Sequence, residues 1–195
     1  MQHNADCSSP LDAHSCSRLA VIGAGPIGLE LALCALQRGM SVAVFESGES
    51  ACAHVLAWQH VTLFSPWSMN TSDAGRRVLE TLGLQLPHGG DFPTGGDFCA
   101  CYLQPLAKYI STHPACSTWS VNAHVLSVGR GALLKGESIG GGDLQMPRGK
   151  PQAASTRALT PFRLLVRHGG SSGVEKYHEG FDFVCDCSGC YRLRQ

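Results

Sequence analysis

The chain has 195 residues, 44% of them apolar, and its 15 lysines and arginines are balanced by 15 acidic residues. This length suffices for one domain with a hydrophobic core. No stretch reaches the roughly 20 apolar residues that a membrane-spanning helix needs. The balanced charge favours neither a nucleic acid nor an anionic membrane as a partner.

Residues 1–17 are polar and lack the apolar segment of a signal peptide. We predict a disordered leader here, followed by one domain over residues 18–195. The ten cysteines are many for this length, but several fall on segments that look buried, where cysteine acts as a small hydrophobic residue. Reduced thiols and a cytoplasmic location are therefore predicted.

The first elements in chain order predict a βαβ unit. Residues 18–23 form an apolar strand, residues 26–38 carry apolar side chains at helical spacing, and residues 41–46 form a second apolar strand. Residues 47–72 show no period and are predicted to be irregular. A helix is predicted over residues 73–84.

A further helix is predicted to open at residues 94–97 and to run to about Ile110. Its inner face is predicted to consist of Phe98, Cys101, Leu106 and Ile110. Pro105 lies inside this pattern and predicts a kink, because proline has no N–H to donate within a helix.

Three strands are predicted in the C-terminal half, at residues 121–128, 161–168 and 174–181. Strands joined by turns and a tolerated insertion are typical of an antiparallel meander at the surface. The insertion, at about residues 136–156, is rich in Gly, Pro and polar residues, and we predict that it is flexible. A last strand follows and ends in Gly189.

The turn after the first strand has the sequence GAGPIG. Gly23 would let the chain turn sharply, Gly25 would let the backbone approach a pyrophosphate, and Gly28 would let the helix lie against the strand. Pro26 and Ile27 open the helix and are assigned to the same site, because a helix N-terminus presents N–H groups and a positive dipole end to phosphates. A dinucleotide-binding site is therefore predicted.

Glu46 ends the second strand, eighteen residues after Gly28. A carboxylate at this point can accept hydrogen bonds from both hydroxyls of an adenosine ribose, and it repels a 2′-phosphate, so NADP is disfavoured at this site. These residues do not distinguish FAD from NAD. A plain NAD-binding domain is therefore one alternative.

The segment GAGPIGLELA resembles the adenine-dinucleotide motif at the N-terminus of two-dinucleotide-binding flavoproteins. These include flavin-containing monooxygenases and the pyridine nucleotide-disulfide oxidoreductase-like superfamily. It also resembles the internal NAD motif of dihydrolipoamide-dehydrogenase-type proteins, but there the motif follows an FAD domain. Because the motif comes first here, FAD is the expected cofactor.

The resemblance implies an α/β fold, a Rossmann-like FAD/NAD(P)-binding domain. Its parallel sheet should carry helices on one face and a three-stranded antiparallel meander on the other. The segments LFSPWSMN and DFPTGG are also similar to FAD-dependent, monooxygenase-like oxidoreductases.

The segment DFVCDCSG resembles the superfamily's second motif, an apolar strand that ends in Ala-Thr-Gly. Cys187 stands at the Ala position, Ser188 at the Thr position and Gly189 at the Gly position. The resemblance implies that Ser188 and Gly189 lie at the cofactor.

The implied reaction is hydride transfer from NAD(P)H, a co-substrate, to FAD and then to oxygen or another small-molecule substrate or acceptor. The superfamily continues after this motif with a second GxGxxG domain and a strand that returns to the FAD domain. We therefore expect an incomplete FAD-binding domain that depends on a missing C-terminal half. The alternative is a truncated or inactive dinucleotide-binding module without catalysis.

No metal site and no catalytic residue is predicted. Cys185 and Cys187 alternate along one strand and should face the same side. Cys187 and Cys190 form a CxxC, but no helix of a thioredoxin-like unit follows, so buried small side chains are the preferred interpretation. Trp58 and Trp67 are assigned to the core by default, with a place over the flavin as the alternative.

Overall fold

The computed structural model describes residues 16–130, 160–170 and 172–189. The predicted leader up to residue 15, the predicted insertion at 136–156 and the residues from Cys190 onward lie outside them. The predictions for those segments, including the CxxC pair, stay predictions.

In the described part of the chain, seven strands form two sheets. In chain order they are β1 (Arg18–Ile22), β2 (Ser41–Phe45), β3 (Cys116–Ser120), β4 (Ala123–Arg130), β5 (Phe162–His168), β6 (Val174–Phe181) and β7 (Phe183–Asp186). The first sheet is parallel, with the strand order β3-β2-β1-β7. The second is the antiparallel meander β4-β5-β6. The predicted α/β architecture is therefore confirmed.

The helices are α1 (Pro26–Gln37), α2 (Ala53–Leu56), α3 (Trp67–Asn70), α4 (Asp73–Thr81), α5 (Gly95–Phe98) and α6 (Gln104–Thr112). The three longer predicted helices are found with small differences at their ends. The short helices α2 and α3 lie within residues 47–72, where the prediction of wholly irregular structure was wrong. They are single turns, too short to show an apolar period.

The two faces of the parallel sheet are buried against different partners. Alternate side chains of β1 and β2 join the core formed by the helices: Leu19, Val21, Val42 and Val44. The others pack against the meander: Ala20, Ala43 and Phe45. Because side chains alternate across a strand, a strand covered on both faces must be apolar throughout, as these two are. Each fully buried Val or Phe contributes about 1.5–3 kcal/mol.

The sequence does not predict β3. The strand that it predicts at residues 121–128 corresponds to β4. The sequence of β3, CSTWS, has no apolar alternation because β3 lies at an edge of the sheet and its residues are mostly half-buried. Pairing with β2 holds it in place, in register from Val42 opposite Cys116 to Phe45 opposite Ser120. Asn122, at φ +49°, then turns the chain into β4.

The helix around Pro105 is irregular, as predicted. Pro105 offers no N–H to the carbonyl four residues earlier, and a π-helical turn over Cys99–Leu103 lies at this point. The fully buried side chains are Cys99 and Tyr102, together with Leu103, Leu106 and Ile110. Cys101, predicted for this inner face, is partly buried and packs against the same core. Cys99, which the sequence did not single out, is fully buried there.

Arg18 ties the start of β1 to the corner between β6 and β7. Its guanidinium donates to the carbonyls of Glu179 at 3.1 Å and Gly180 at 3.0 Å. Its backbone N–H donates to Oδ2 of Asp182 at 2.7 Å, across 164 residues of sequence. The guanidinium also lies over the ring of Phe181, 5.1 Å from its centroid, so β1 is anchored before its pairing with β7 begins.

A histidine pair lies between the two sheets. The Nε2 atoms of His168 and His178 are 3.1 Å apart, and Nδ1 of His168 is 3.2 Å from the Ser120 hydroxyl. The ring of His178 meets that of Phe45 edge-on at 4.9 Å. Burial, then His168 and Lys176, lower the pKa of His178 below its ordinary 6.5. His178 therefore resists protonation in the folded chain.

We expect acid to destabilise the fold through His178. Because its pKa is lowered on folding, the unfolded chain binds the additional proton first. Its contribution to stability is full above the ordinary pKa of about 6.5 and is lost as the pH falls through the folded value. Urea denaturation between about pH 8 and about pH 5 measures this, with a slope of at most one proton taken up on unfolding.

His178→Gln should flatten this pH dependence. His60→Gln serves as the control because His60 is exposed, and it should leave the dependence unchanged. An identical loss of stability in His178→Gln and in the natural chain would assign the acid sensitivity to other groups.

Candidate functional site

The turn from β1 into α1 admits no side chain at Gly23. The residue has φ +97°, which disfavours any side chain, and a Cβ there would lie 2.8 Å from the carbonyl oxygen of Cys187. Its N–H donates to the carbonyl of Phe45 at 2.7 Å. Gly23 is thus fixed by β2 on one side and by the end of β7 on the other.

Gly28 is required for a different reason. A Cβ there would overlap the carbonyl oxygen of Gly23 and would lie 3.4 Å from Cγ1 of Val21. Helix α1 therefore lies directly on the turn that precedes it. Ala32, one turn further along α1, is fully buried in the core on the same side of the sheet.

Gly25 differs from both, because the protein itself does not require glycine there. Its backbone is extended, with φ −80° and ψ −174°, a conformation open to any residue. A Cβ at Gly25 would meet no atom within 4 Å. The space beside this residue is therefore open.

The N-terminus of α1 borders the same space. Gly25 is its N-cap and provides no side-chain cap, and Pro26 follows at the first helical position. The first N–H groups of any α-helix lack partners within the helix, and here they include those of Ile27 and Gly28. The side chain of Ile27 is 70% exposed beside them. This arrangement suits an anion.

The Glu46 carboxylate connects two loops at the end of β2. Its Oε2 accepts from the N–H of Ala24 and its Oε1 from that of Gly48, both at 2.7 Å. The Ser47 hydroxyl lies farther from Oε1, at 3.4 Å. Since a carboxylate has about four accepting positions, capacity remains for a further hydroxyl.

β7 ends against the same turn. The Cα of Ser188 would lie 3.0 Å from a Cβ at Gly23. The Ser188 hydroxyl and N–H donate to Oδ1 of Asp186 at 2.6 and 3.0 Å, and these bonds lower the pKa of Asp186. Because its proton is already donated, the Ser188 hydroxyl does not point a donor at a phosphate. Gly189, at φ +75°, continues the turn.

The structure thus brings the predicted site residues to one place, the carboxyl ends of β1, β2 and β7 and the first turn of α1. Sequence analysis missed two contributors. Asp186 stands two residues before Ser188, a spacing typical of an Asx turn and therefore a usable signal. Cys52 donates its N–H to the carbonyl of Ala24 at 3.0 Å, and no local pattern marks that contact.

The two tryptophans considered as flavin covers pack elsewhere. The ring of Trp67 is buried against Phe98, with centroids 6.1 Å apart. Trp58 packs against Gly95, where a Cβ would lie 2.7 Å from its ring. Both therefore contribute to the core, as the default interpretation expected.

Within residues 16–130, 160–170 and 172–189, no three His, Cys, Asp or Glu side chains are grouped so that they could hold a metal ion. No helix in the same residues has the length and apolar character needed to cross a membrane.

Known proteins share this arrangement of strands and helices. A bacillithiol disulfide reductase from Bacillus cereus superposes with a TM-score of 0.55 at 15% identity, over 87% of this chain and 39% of that one. The complex of OTEMO with FAD and NADP gives a TM-score of 0.54 at 14% identity, over 89% and 26% of the two chains. A steroid monooxygenase bound to NADP gives 0.53 at 16% identity, over 88% and 26%.

The chain has the fold of FAD-dependent flavoproteins. The resemblance predicted from the GAGPIG turn is thus confirmed. In sequence, kynurenine 3-monooxygenase of Mycosarcoma maydis is 32% identical over an alignment of 144 residues that covers 69% of this chain and 23% of that enzyme. No protein-family model matches the chain. The chain spans about a quarter of the length of the curated kynurenine 3-monooxygenase that it matches.

A methyl group should have different effects on stability at Gly28 and at Gly25. Gly28→Ala forces a Cβ into the carbonyl of Gly23 and should lower the free energy of unfolding by about 1–3 kcal/mol or more. Gly25→Ala should change it by less than about 0.5 kcal/mol. Urea denaturation distinguishes the two. An equal loss in both variants would show that the space beside Gly25 is filled by the protein itself.

Proposed function

We propose that this chain binds FAD at the β1–α1 turn, as the FAD-binding part of an oxidoreductase that takes hydride from NAD(P)H. The observation that carries this proposal is Gly25. Packing and backbone conformation account for glycine at positions 23 and 28 but not at position 25. A ligand that lies against the backbone there accounts for it.

The pyrophosphate of the dinucleotide would lie against Gly25 and the first turn of α1. The N–H groups of Ile27 and Gly28 point their hydrogens toward this end of the helix, where the dipole adds about half a positive charge. Because Pro26 fixes the first helical φ, the turn is preorganised for the ligand. Gly28 lets the helix lie against the turn and against Val21 of β1.

The adenosine ribose would lie at Glu46. Oε2 has an accepting position left after its bond to Ala24, and a ribose hydroxyl can replace the long contact from Ser47 on Oε1. The two short bonds to Ala24 and Gly48 hold the carboxylate in place before the ligand arrives. A 2′-phosphate would meet this negative charge, which favours FAD over NADP at this position.

FAD, when bound, supplies the redox chemistry, and the residues described here bind and orient its adenosine diphosphate part. The matched regions of longer oxygenases support a monooxygenase-like reaction with NAD(P)H as co-substrate and a small-molecule substrate. No residue of the chain is proposed as catalytic. The cytoplasm remains the proposed location.

The test is FAD binding by the purified chain. We expect flavin absorbance that survives gel filtration after incubation with FAD. Gly25→Ala should weaken the affinity at least tenfold, about 1.4 kcal/mol, because its methyl group enters the pyrophosphate space. Gly129→Ala is the matched control, since a Cβ there would meet only Nε of Arg163, at 3.9 Å, on the distant meander.

Titration calorimetry with NAD separates the alternatives. Binding of NAD in preference to FAD would identify a plain NAD-binding domain, and binding of neither would contradict the proposal and leave an inactive module. If FAD binds, loss of its visible absorbance on addition of NADH or NADPH without oxygen tests the hydride transfer. Equal FAD affinity in the natural chain and Gly25→Ala would place the cofactor elsewhere.

A further inference from the structure

Two histidine rings converge between the meander and the parallel sheet. The Nε2 atoms of His168 and His178 are 3.1 Å apart, and the ring centroids are 5.3 Å apart. The two residues are not cross-strand neighbours, because His168 is opposite Val174 and His178 is opposite Leu164. Both side chains therefore extend toward each other over the sheet to meet. Only the fold brings them together, which is why the sequence predicts no metal site.

The separation of the two nitrogens fits a shared metal ion. Imidazole nitrogens bind Zn²⁺ at about 2.0–2.1 Å, so two of them on one ion, at an angle between square and tetrahedral, are about 2.9–3.4 Å apart. Imidazole is a ligand that suits zinc, copper and nickel. The same separation also fits one hydrogen bond between the rings, and the experiment below distinguishes the two arrangements.

The Ser120 hydroxyl prepares His168 to act as a ligand. It lies 3.2 Å from Nδ1 of that ring. When the hydroxyl accepts the Nδ1–H, Nε2 of His168 keeps a free lone pair and the ring is held in place. Histidines that bind metals usually donate their second ring nitrogen in this way. The other ring is packed edge-on against Phe45, with centroids 4.9 Å apart.

Water would complete the coordination of an ion at this pair. Both histidines are only partly buried, so solvent reaches them. In the part of the chain that the structure describes, no third His, Cys, Asp or Glu side chain joins them. Two protein ligands are fewer than a permanent zinc centre has. The ammonium group of Lys176, on the same face of β6 as His178, also opposes a cation, so an ion here exchanges readily.

We propose that His168 and His178 form an exchangeable site for a divalent transition-metal ion of the zinc, nickel and copper class. The two Nε2 atoms bind the ion, and Ser120 holds the His168 tautomer. A bound ion joins the end of β5 to β6 and, through Ser120, to β3. The Ser120 carbonyl accepts from the N–H of Glu46 at 2.8 Å, so the site borders the candidate dinucleotide site but shares no ligand-binding side chain with it.

The test is calorimetric titration of the full chain with Zn²⁺, after a chelator has removed metal carried through purification. At about pH 7.5 imidazole is neutral and free to bind metal. We expect one ion per chain. At a Zn²⁺ concentration of about 100 times the dissociation constant, the melting temperature should rise by about 5 °C.

Variants locate the ion. His168→Gln and His178→Gln should each weaken Zn²⁺ binding at least tenfold, because each removes one of two ligands. Ser120→Ala should weaken it by about tenfold through loss of the tautomer and ring orientation. His60→Gln and Cys16→Ser are the controls, since both residues are exposed, and both should bind Zn²⁺ like the natural chain.

A second measurement needs no variant. Paramagnetic Ni²⁺, added in small amounts to the natural chain, should broaden the ring C–H proton signals of two of its nine histidines and leave the others sharp. This readout holds even where a histidine variant fails to fold.

No heat of binding at millimolar Zn²⁺ would overturn the proposal and leave a hydrogen bond between the rings only. Equal Zn²⁺ affinity in the natural chain and both histidine variants would also overturn it, as would loss of binding in Cys16→Ser or uniform broadening of all histidine signals by Ni²⁺. None of these measurements uses FAD, so their failure is distinct from failure of the proposed function.

Discussion

The chain leaves β1 through a turn with no room for side chains, and the rest of the structure is arranged around that turn. Gly23 is held by the carbonyl of Phe45 from β2 and lies against the backbone of Cys187 from β7. Gly28 then lies on the carbonyl of Gly23. Three strands and a helix therefore converge within one turn, and a methyl group at either glycine would push them apart.

This convergence explains why the open space at Gly25 has a fixed shape. The backbone of the β1–α1 turn borders this space and is fixed at Gly23 by β2 and by the end of β7. Backbone held in this way cannot move aside as a long side chain can. Glu46 adds a charge that is held by two short hydrogen bonds before any ligand arrives. A preorganised site of this kind loses little entropy when it binds.

The sequence reveals those features whose causes are local. The GAGPIG turn and Glu46 indicate the candidate site because backbone conformation and charge act over a few residues. The apolar runs of β1 and β2 indicate that both faces of these strands are buried. β3 is not visible, since CSTWS becomes a strand only by pairing with β2. Cys99 could not be told from Cys101, because the π-helical turn before Pro105 shifts the helical phase. The Cys52–Ala24 contact depends wholly on tertiary structure.

The pairing of β1 with β7 also fixes when the turn can reach its final form. Arg18 and Asp182 are bonded across 164 residues, so at ordinary rates of translation β1 waits on the order of ten seconds for its second neighbour. During that interval one edge of β1 is unpaired and exposed to other chains. Synthesis therefore passes through a period in which the apolar centre of the sheet needs protection, and that period ends when β7 arrives.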